Sequence, residues 1–102
     1  MKIIKVLCEK IERELDDAHE YACLALEYRE SCPQTAALFC KLAAEEMAHM
    51  DSLHKEVVRN IEQYRQSHDA IPPHMKAVYD YLHERQIRKA EKVGIMQAMY
   101  KK

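Results

Sequence analysis

The sequence predicts an all-α fold of three long antiparallel helices. The composition is the first reason, because the 102 residues include a single glycine, Gly94, and three prolines. Alanine, leucine, glutamate, lysine, arginine and methionine are abundant, and these residues favour helix over turn. The prolines fall at two breaks, so the connections between helices are short. Long helices joined by short connections pack antiparallel to their sequence neighbours.

The two breaks set the expected limits of the helices. Ser31-Cys32-Pro33 forms the first break, and Ala70-Ile71-Pro72-Pro73 forms the second. Proline disfavours helix in the residue before it and is well tolerated at a helix start. We therefore expect one helical domain over residues 1–102, with helices at about 2–30, 34–67 and 73–100.

Charge and size indicate the class of partner. The formal net charge is −1, and both signs alternate along the predicted helices. Such a chain offers no basic surface for nucleic acid. A short bundle of long helices buries a limited core, so we expect a homo-oligomer, a dimer or larger.

The cysteines indicate a reducing compartment. Cys8, Cys23, Cys32 and Cys40 form no C-x-x-C pair and no zinc-finger spacing, and three of them fall within predicted helices. This arrangement is typical of reduced thiols rather than of a disulfide framework. The sequence shows neither a signal peptide nor a membrane-spanning segment, so we expect a soluble, cytoplasmic protein without a membrane partner.

Ionisable residues interrupt the apolar face predicted for the second helix. That face contains Phe39, Leu42, Glu46, His49, Leu53, Val57 and Tyr64. Glu46 and His49 are three residues apart and share one side of a helix. Burying such groups without partners costs several kcal/mol each. The spacing therefore predicts a group that satisfies both side chains, and a metal ion is the leading candidate.

The first helix carries a matching interruption. One predicted core row contains Ile4, Ile11, Ala18 and Ala25, and the adjoining row contains Leu7, Glu14, Tyr21 and Tyr28. Glu14 thus breaks an apolar seam that should face the second helix. Asp17 lies at the edge of this seam and is a rival ligand.

Carboxylate oxygens and a neutral imidazole suit iron, manganese or zinc. Di-iron and di-manganese centres in helical bundles take a glutamate from each of two helices and a Glu-x-x-His pair from each of two others. Glu14, Glu46 and His49 would be half of that set, and a two-fold dimer would complete it.

A metal-free alternative stays open. Asp16 and His19, Asp51 and His54, and Asp80 and His83 have the same three-residue spacing, which ordinary surface pairing on a helix also produces. We expect the first two of these pairs on solvent faces. In the alternative, the seam residues hydrogen-bond to one another and fix the pairing of a non-enzymatic helical interaction protein.

These residues resemble a known family. Glu14-Leu15, with Tyr21 seven residues after the glutamate, and the later segment Glu46-Met47-Ala48-His49-Met50-Asp51 resemble the first helical pair of ferritin-like di-iron proteins. Bacterioferritins and rubrerythrins are the nearest parallels, and a short bacterial or prophage-type member is the expected kind. The resemblance covers residues from about 7 to 64.

The resemblance implies a ligand set and an activity. It implies Glu14 and Glu46 as iron ligands, with Glu46 able to bridge, His49 as the imidazole ligand, and Tyr21 beside them. The implied activity is oxidation of Fe(II) by dioxygen or peroxide, as in a ferroxidase. These families have two further helices that carry ligands, whereas this chain has only one further helix. His83, which is paired with Asp80 on that helix, is the nearest counterpart and is a second rival ligand.

Overall fold

The computed structural model describes residues 2–68 and 70–102, and the described chain consists of three helices. They are α1 (Lys2–Tyr28), α2 (Pro33–His68) and α3 (Pro73–Lys101). The predicted all-α class with three long helices is confirmed. None of the described helices is both long enough and apolar enough to cross a lipid bilayer.

Proline marks the start of both later helices. Pro33 is the first residue of α2, and Pro73 opens α3 behind Pro72, whose backbone is extended (φ −55°, ψ 138°). The first turn of a helix has no partner for its N–H groups, so the missing proline donor costs nothing there. These residues therefore set the helix starts expected from the sequence.

Helix α1 lies between the other two. It packs along the length of α2 in the antiparallel sense and against α3 in the parallel sense, whereas α2 and α3 touch each other little. The resulting rod measures 56 × 18 × 18 Å. At one end, Arg29 Nη1 donates to the carbonyl oxygens of Met99 (3.1 Å) and Tyr100 (3.3 Å), which pairs carbonyls at the end of α3.

The buried face of α1 forms most of the core. Its members are Leu7, Cys8, Ile11, Leu15, Ala18, Ala22 and Ala25. Towards the N-terminal part of α1, large side chains such as Ile11 and Leu15 pack against Val57 of α2. Further along, Ala18 and Ala22 meet Ala43 of α2 and Val93 of α3. In this second region, small side chains therefore make the contact between α1 and α2.

The inward face predicted for α2 is wrong in phase. The fully buried residues are Ala36, Ala43 and Val57, and Met47, Met50 and Ile61 also pack on the core. Because each residue turns a helix by about 100°, the real face is rotated by roughly 60° from the predicted one. His49 is therefore exposed rather than buried, and His54 is half-buried rather than on a solvent face.

His54 joins α2 to α3. Its Nε2 lies 3.1 Å from Nε2 of His83, with the two rings within 12° of parallel, and Tyr79 stacks against His83. Between two neutral imidazoles, one ring donates and the other accepts a single N–H···N hydrogen bond. This pair is a polar contact between two helices that otherwise touch little.

The pair should make stability depend on pH. Burial first, and then the neighbouring His83, lower the pKa of His54 below its ordinary value of 6.5, against a smaller opposite effect of Asp51. Below pH 6.5 the unfolded chain therefore binds more protons at His54 than the folded chain does. The free energy of unfolding should fall as the pH drops from 6.5 towards the lower pKa of the folded protein. Urea unfolding at several pH values measures this slope.

Two variants separate this effect from general acid sensitivity. His54→Gln should flatten the slope, because the group that takes up the proton is gone. His68→Gln, at an exposed position near the end of the same helix, should leave the slope unchanged. Equal slopes in all three proteins would contradict the assignment to His54.

Candidate metal centre

Glu14 of α1 and Glu46 and His49 of α2 lie together. One ligand atom from each falls within 4.8 Å of the other two. His49 Nδ1 is 3.5 Å from Glu14 Oε2 and 3.9 Å from Glu46 Oε2. These are the three residues that the sequence analysis selected as ligands, and we call them the carboxylate–histidine triad.

Helix geometry and core packing position this triad. Three residues separate Glu46 from His49, so both project from one side of α2. The antiparallel packing of α1 then brings Glu14 to the same level. Leu15, the next residue, is buried in the core and anchors this turn of α1, and Met47 does the same for α2.

The triad lies at the rim of the α1–α2 seam rather than within it. The side chains of Glu14 and Glu46 are 24% and 20% exposed, whereas that of His49 is 60% exposed. The expectation that all three would be shielded from water is therefore wrong for His49. The rotated phase of α2 is the reason, because it turns His49 outward while keeping the carboxylates against the helices.

One oxygen of Glu14 is buried without a partner. Glu14 Oε2 is inaccessible to solvent and has no hydrogen bond among the described residues, although His49 Nδ1 is 3.5 Å away. That separation is long for an N–H···O bond, and it becomes an ion pair only when His49 is protonated. A buried acceptor left without a donor costs about 1–3 kcal/mol, and more when charged. Such an atom calls for a water or an ion.

The donor set fits a divalent transition metal. Two carboxylates and an imidazole, without a thiolate, suit iron, manganese or zinc. Metal–ligand bonds of about 2.0–2.2 Å require the three donors to draw slightly closer than they are here. The exposed side chain of His49 can make that adjustment by a rotamer change. Three protein ligands and a solvent-facing side leave coordination positions open.

The rival ligands lie elsewhere. Asp17 is exposed and is not one of the three clustered residues. Tyr21, expected beside the ligands, is half-buried and stacks on Phe39 with ring centroids 6.2 Å apart. His83 pairs with His54 on α2. Neither Asp17 nor His83 joins the triad in the described structure.

A cavity of about 540 Å³ lies at another part of the bundle. It opens between the first turns of α1 and the start of α3, and its walls include Ile4, Ile61 and Leu82 together with the basic residues Lys2 and Arg65. No member of the triad lines it. This cavity is therefore separate from the triad.

A second group of side chains of the types that can bind metals was not predicted from the sequence. His19, which was expected on a solvent face, is half-buried with a ring nitrogen 3.8 Å from Cys23 Sγ, and Cys23 also touches Met96 of α3. The four-residue spacing of His19 and Cys23 was visible in the sequence. The contribution of Met96 was not, because it depends on how α1 and α3 align.

Comparison with known proteins gives no relative from which a function could be carried over. No protein-family model matches the chain, and it matches neither a curated protein nor a solved structure. A function is therefore inferred from the residues of this chain and their geometry.

Proposed function

We propose that this protein binds iron at the carboxylate–histidine triad, as a ferritin-like protein with a di-iron centre shared between two copies, and that it oxidises or handles Fe(II). The observation that carries the proposal is the buried, unpartnered Glu14 Oε2 facing His49 and Glu46. A cation among these three residues would satisfy that oxygen and the adjoining carboxylate at once. Manganese or zinc would fit the same donors.

A second copy would complete the ligand set. Each chain supplies three ligands at the rim of its helical seam, and a two-fold axis at that rim would bring six together, the number used by bundle di-iron centres. Exposed apolar side chains support contact at this side. Tyr28 lies on the heptad row of Glu14 and Leu38 lies three turns before His49, and their exposed fractions are 38% and 51%.

Each side chain would have a distinct task. The carboxylates of Glu14 and Glu46 would neutralise the cation and hold it against the helices, and His49 would close the site from the solvent side. Bound iron would supply electrons to dioxygen or peroxide in the oxidation of Fe(II). The positions left open by three protein ligands would admit the oxidant.

Iron loading tests the proposal. Metal-stripped protein is titrated anaerobically with Fe(II), bound iron is measured by elemental analysis, and the oligomeric state is followed by sedimentation. We expect one iron per chain and a dimer. Glu46→Ala with His49→Ala should abolish binding, because one ligand cannot hold the ion.

A matched pair of substitutions controls for charge and composition. Glu45→Ala with His68→Ala removes the same residue types from exposed positions of α2 and should leave iron binding intact. Absence of binding in the unmodified protein, or equal binding after Glu46→Ala with His49→Ala, would refute the proposal.

A metal-free role is the second candidate. When His49 is protonated, its Nδ1 lies 3.5 Å and 3.9 Å from two carboxylates, so the three groups can balance one another without an ion. The triad would then fix the pairing of a non-enzymatic interaction protein. Thermal unfolding with Mn(II) and with chelator distinguishes the two candidates.

A further inference from the structure

A second cluster of metal-ligating side chains lies between α1 and α3. Cys23 Sγ is 3.8 Å from His19 Nδ1 and 3.8 Å from Met96 Sδ. His19 and Cys23 are one helical turn apart on α1, and the parallel packing of α3 brings Met96 to their level. All three side chains are half-buried. We call them the soft-donor cluster.

We propose that the soft-donor cluster binds Cu(I). Thiolate and thioether sulfur select Cu(I) among the first-row metals, and imidazole is also a good copper ligand. Cu(I) carries a single charge, which the Cys23 thiolate cancels. The bound site would therefore be neutral overall, as a half-buried position favours.

The distances match those of ligands that share one ion. With metal–sulfur bonds of about 2.3 Å and metal–nitrogen bonds of about 2.0 Å, a trigonal angle separates sulfur from nitrogen by about 3.7 Å. The same geometry separates two sulfurs by about 4 Å. The observed Sγ–Nδ1 and Sγ–Sδ separations are both 3.8 Å. The two separations that involve Cys23 therefore suit ligands of one shared ion.

The orientation of the His19 ring leaves the choice of nitrogen open. Nε2 lies 3.9 Å from Cys23 Sγ, almost as close as Nδ1. A small rotation of the ring would aim one nitrogen at the ion. His19 also lines a cavity of about 140 Å³, which gives the ring room to turn. Lys89 and Lys92 line the same cavity. Glu12 (2.6 Å) and Asp16 (2.9 Å) neutralise the charge of Lys89, and Lys92 is exposed to solvent.

Without an ion, Cys23 makes only weak sulfur contacts. Its thiol can donate to Met96 Sδ while its sulfur accepts an N–H from the His19 ring, and both are weak hydrogen bonds. A shared ion would replace these weak contacts with three ligand bonds.

The soft-donor cluster is independent of the carboxylate–histidine triad. Nine residues separate Glu14 from Cys23, which at about 100° per residue places them on opposite sides of α1. The two groups also differ in chemistry, since one offers carboxylate oxygens and the other offers sulfur. Their ion preferences can therefore be tested separately in the same protein.

The test is a competition titration under anaerobic, reducing conditions. In a Cys32→Ser, Cys40→Ser background, which removes the two thiols outside the core and the cluster, the protein competes for Cu(I) with a chromophoric chelator. We expect one Cu(I) per chain, with ultraviolet absorption from a thiolate–Cu(I) bond. Adding Cys23→Ser should weaken binding by more than about 100-fold, and adding Met96→Leu by about tenfold.

Control variants show whether Cu(I) binds at the soft-donor cluster. Met99→Leu, an exposed methionine one turn further along α3, and Glu46→Ala with His49→Ala should leave Cu(I) affinity unchanged. As a second readout that needs no variant beyond this background, Ag(I) should shift the methyl NMR signal of Met96 and not that of Met99. Full affinity after Cys23→Ser, equal effects of Met96→Leu and Met99→Leu, or an unshifted Met96 signal would overturn the proposal.

Discussion

Replacing Leu15 with alanine should reduce the free energy of unfolding by about 2–5 kcal/mol. Leu15 is 1% exposed and packs in the cluster formed with Ile11 and Val57. The substitution removes buried methyl and methylene groups and leaves a cavity that rigid helices can only partly close. Small proteins are stable by roughly 5–15 kcal/mol, so this loss is a large part of the total. Equilibrium urea unfolding followed by circular dichroism measures it.

Two further variants define what the Leu15 result means. Ile95→Ala removes a similar aliphatic side chain at a position of α3 that is 62% exposed, and it should change stability by no more than about 0.5 kcal/mol. Leu15→Met nearly conserves volume and should cost less than about 1.5 kcal/mol. A loss for Leu15→Ala as small as that for Ile95→Ala would show that this turn of α1 is not part of the core.

The sequence predicted the helices well because their limits are local. Pro33 and Pro73 act on the backbone of their own neighbours, and neither needs a distant residue to end one helix or start the next. The predicted α2, residues 34–67, therefore lies within one residue of the observed Pro33–His68 at each end. The short connections also determined the antiparallel packing of α1 with α2.

The face that α2 turns towards the core was harder to predict from the sequence. Apolar residues occur on more than one side of this helix. The predicted face was the one that contains large apolar residues such as Phe39 and Leu42. The structure instead buries Ala36 and Ala43, and Ala43 packs against Ala18 and Ala22 of α1. The choice between a large and a small contact surface depends on both helices at once.

The candidate sites also combine features set within one helix, which the sequence predicts, with features set by packing between helices, which it does not. The closeness of Glu46 and His49 follows from a spacing within one helix, and the approach of Glu14 followed from the antiparallel packing of α1. The exposure of His49 could not be predicted in this way, because it depends on which face α2 turns towards the core. The soft-donor cluster joins Cys23 to Met96 across α1 and α3, and no local pattern predicts that contact.

Bound metal should strongly stabilise the unmodified protein. It should not stabilise a variant that lacks the ligands Glu46 and His49. Replacing Glu46 and His49 by leucine removes two of the three ligands of the carboxylate–histidine triad. With free Mn(II) at about 1,000 times its dissociation constant, the unmodified protein should gain about 4 kcal/mol. For a chain of this size that raises Tm by more than about 10 °C. Mn(II) is chosen because it favours oxygen and nitrogen donors over the cysteine sulfurs.

Chelator should reverse the order of the melting temperatures of the two proteins. In metal-free buffer, Glu46→Leu with His49→Leu should melt at or above the temperature of the unmodified protein, because the leucines need no partner at the rim of the seam. Thermal scans at one fixed protein concentration compare both proteins with Mn(II) and with chelator, since the Tm of an oligomer depends on concentration. Glu45→Leu, at an exposed neighbouring position, should keep the full response to Mn(II). If instead the double variant melts higher under both conditions and Mn(II) shifts neither protein, the triad serves only to fix helix pairing, and the iron proposal fails.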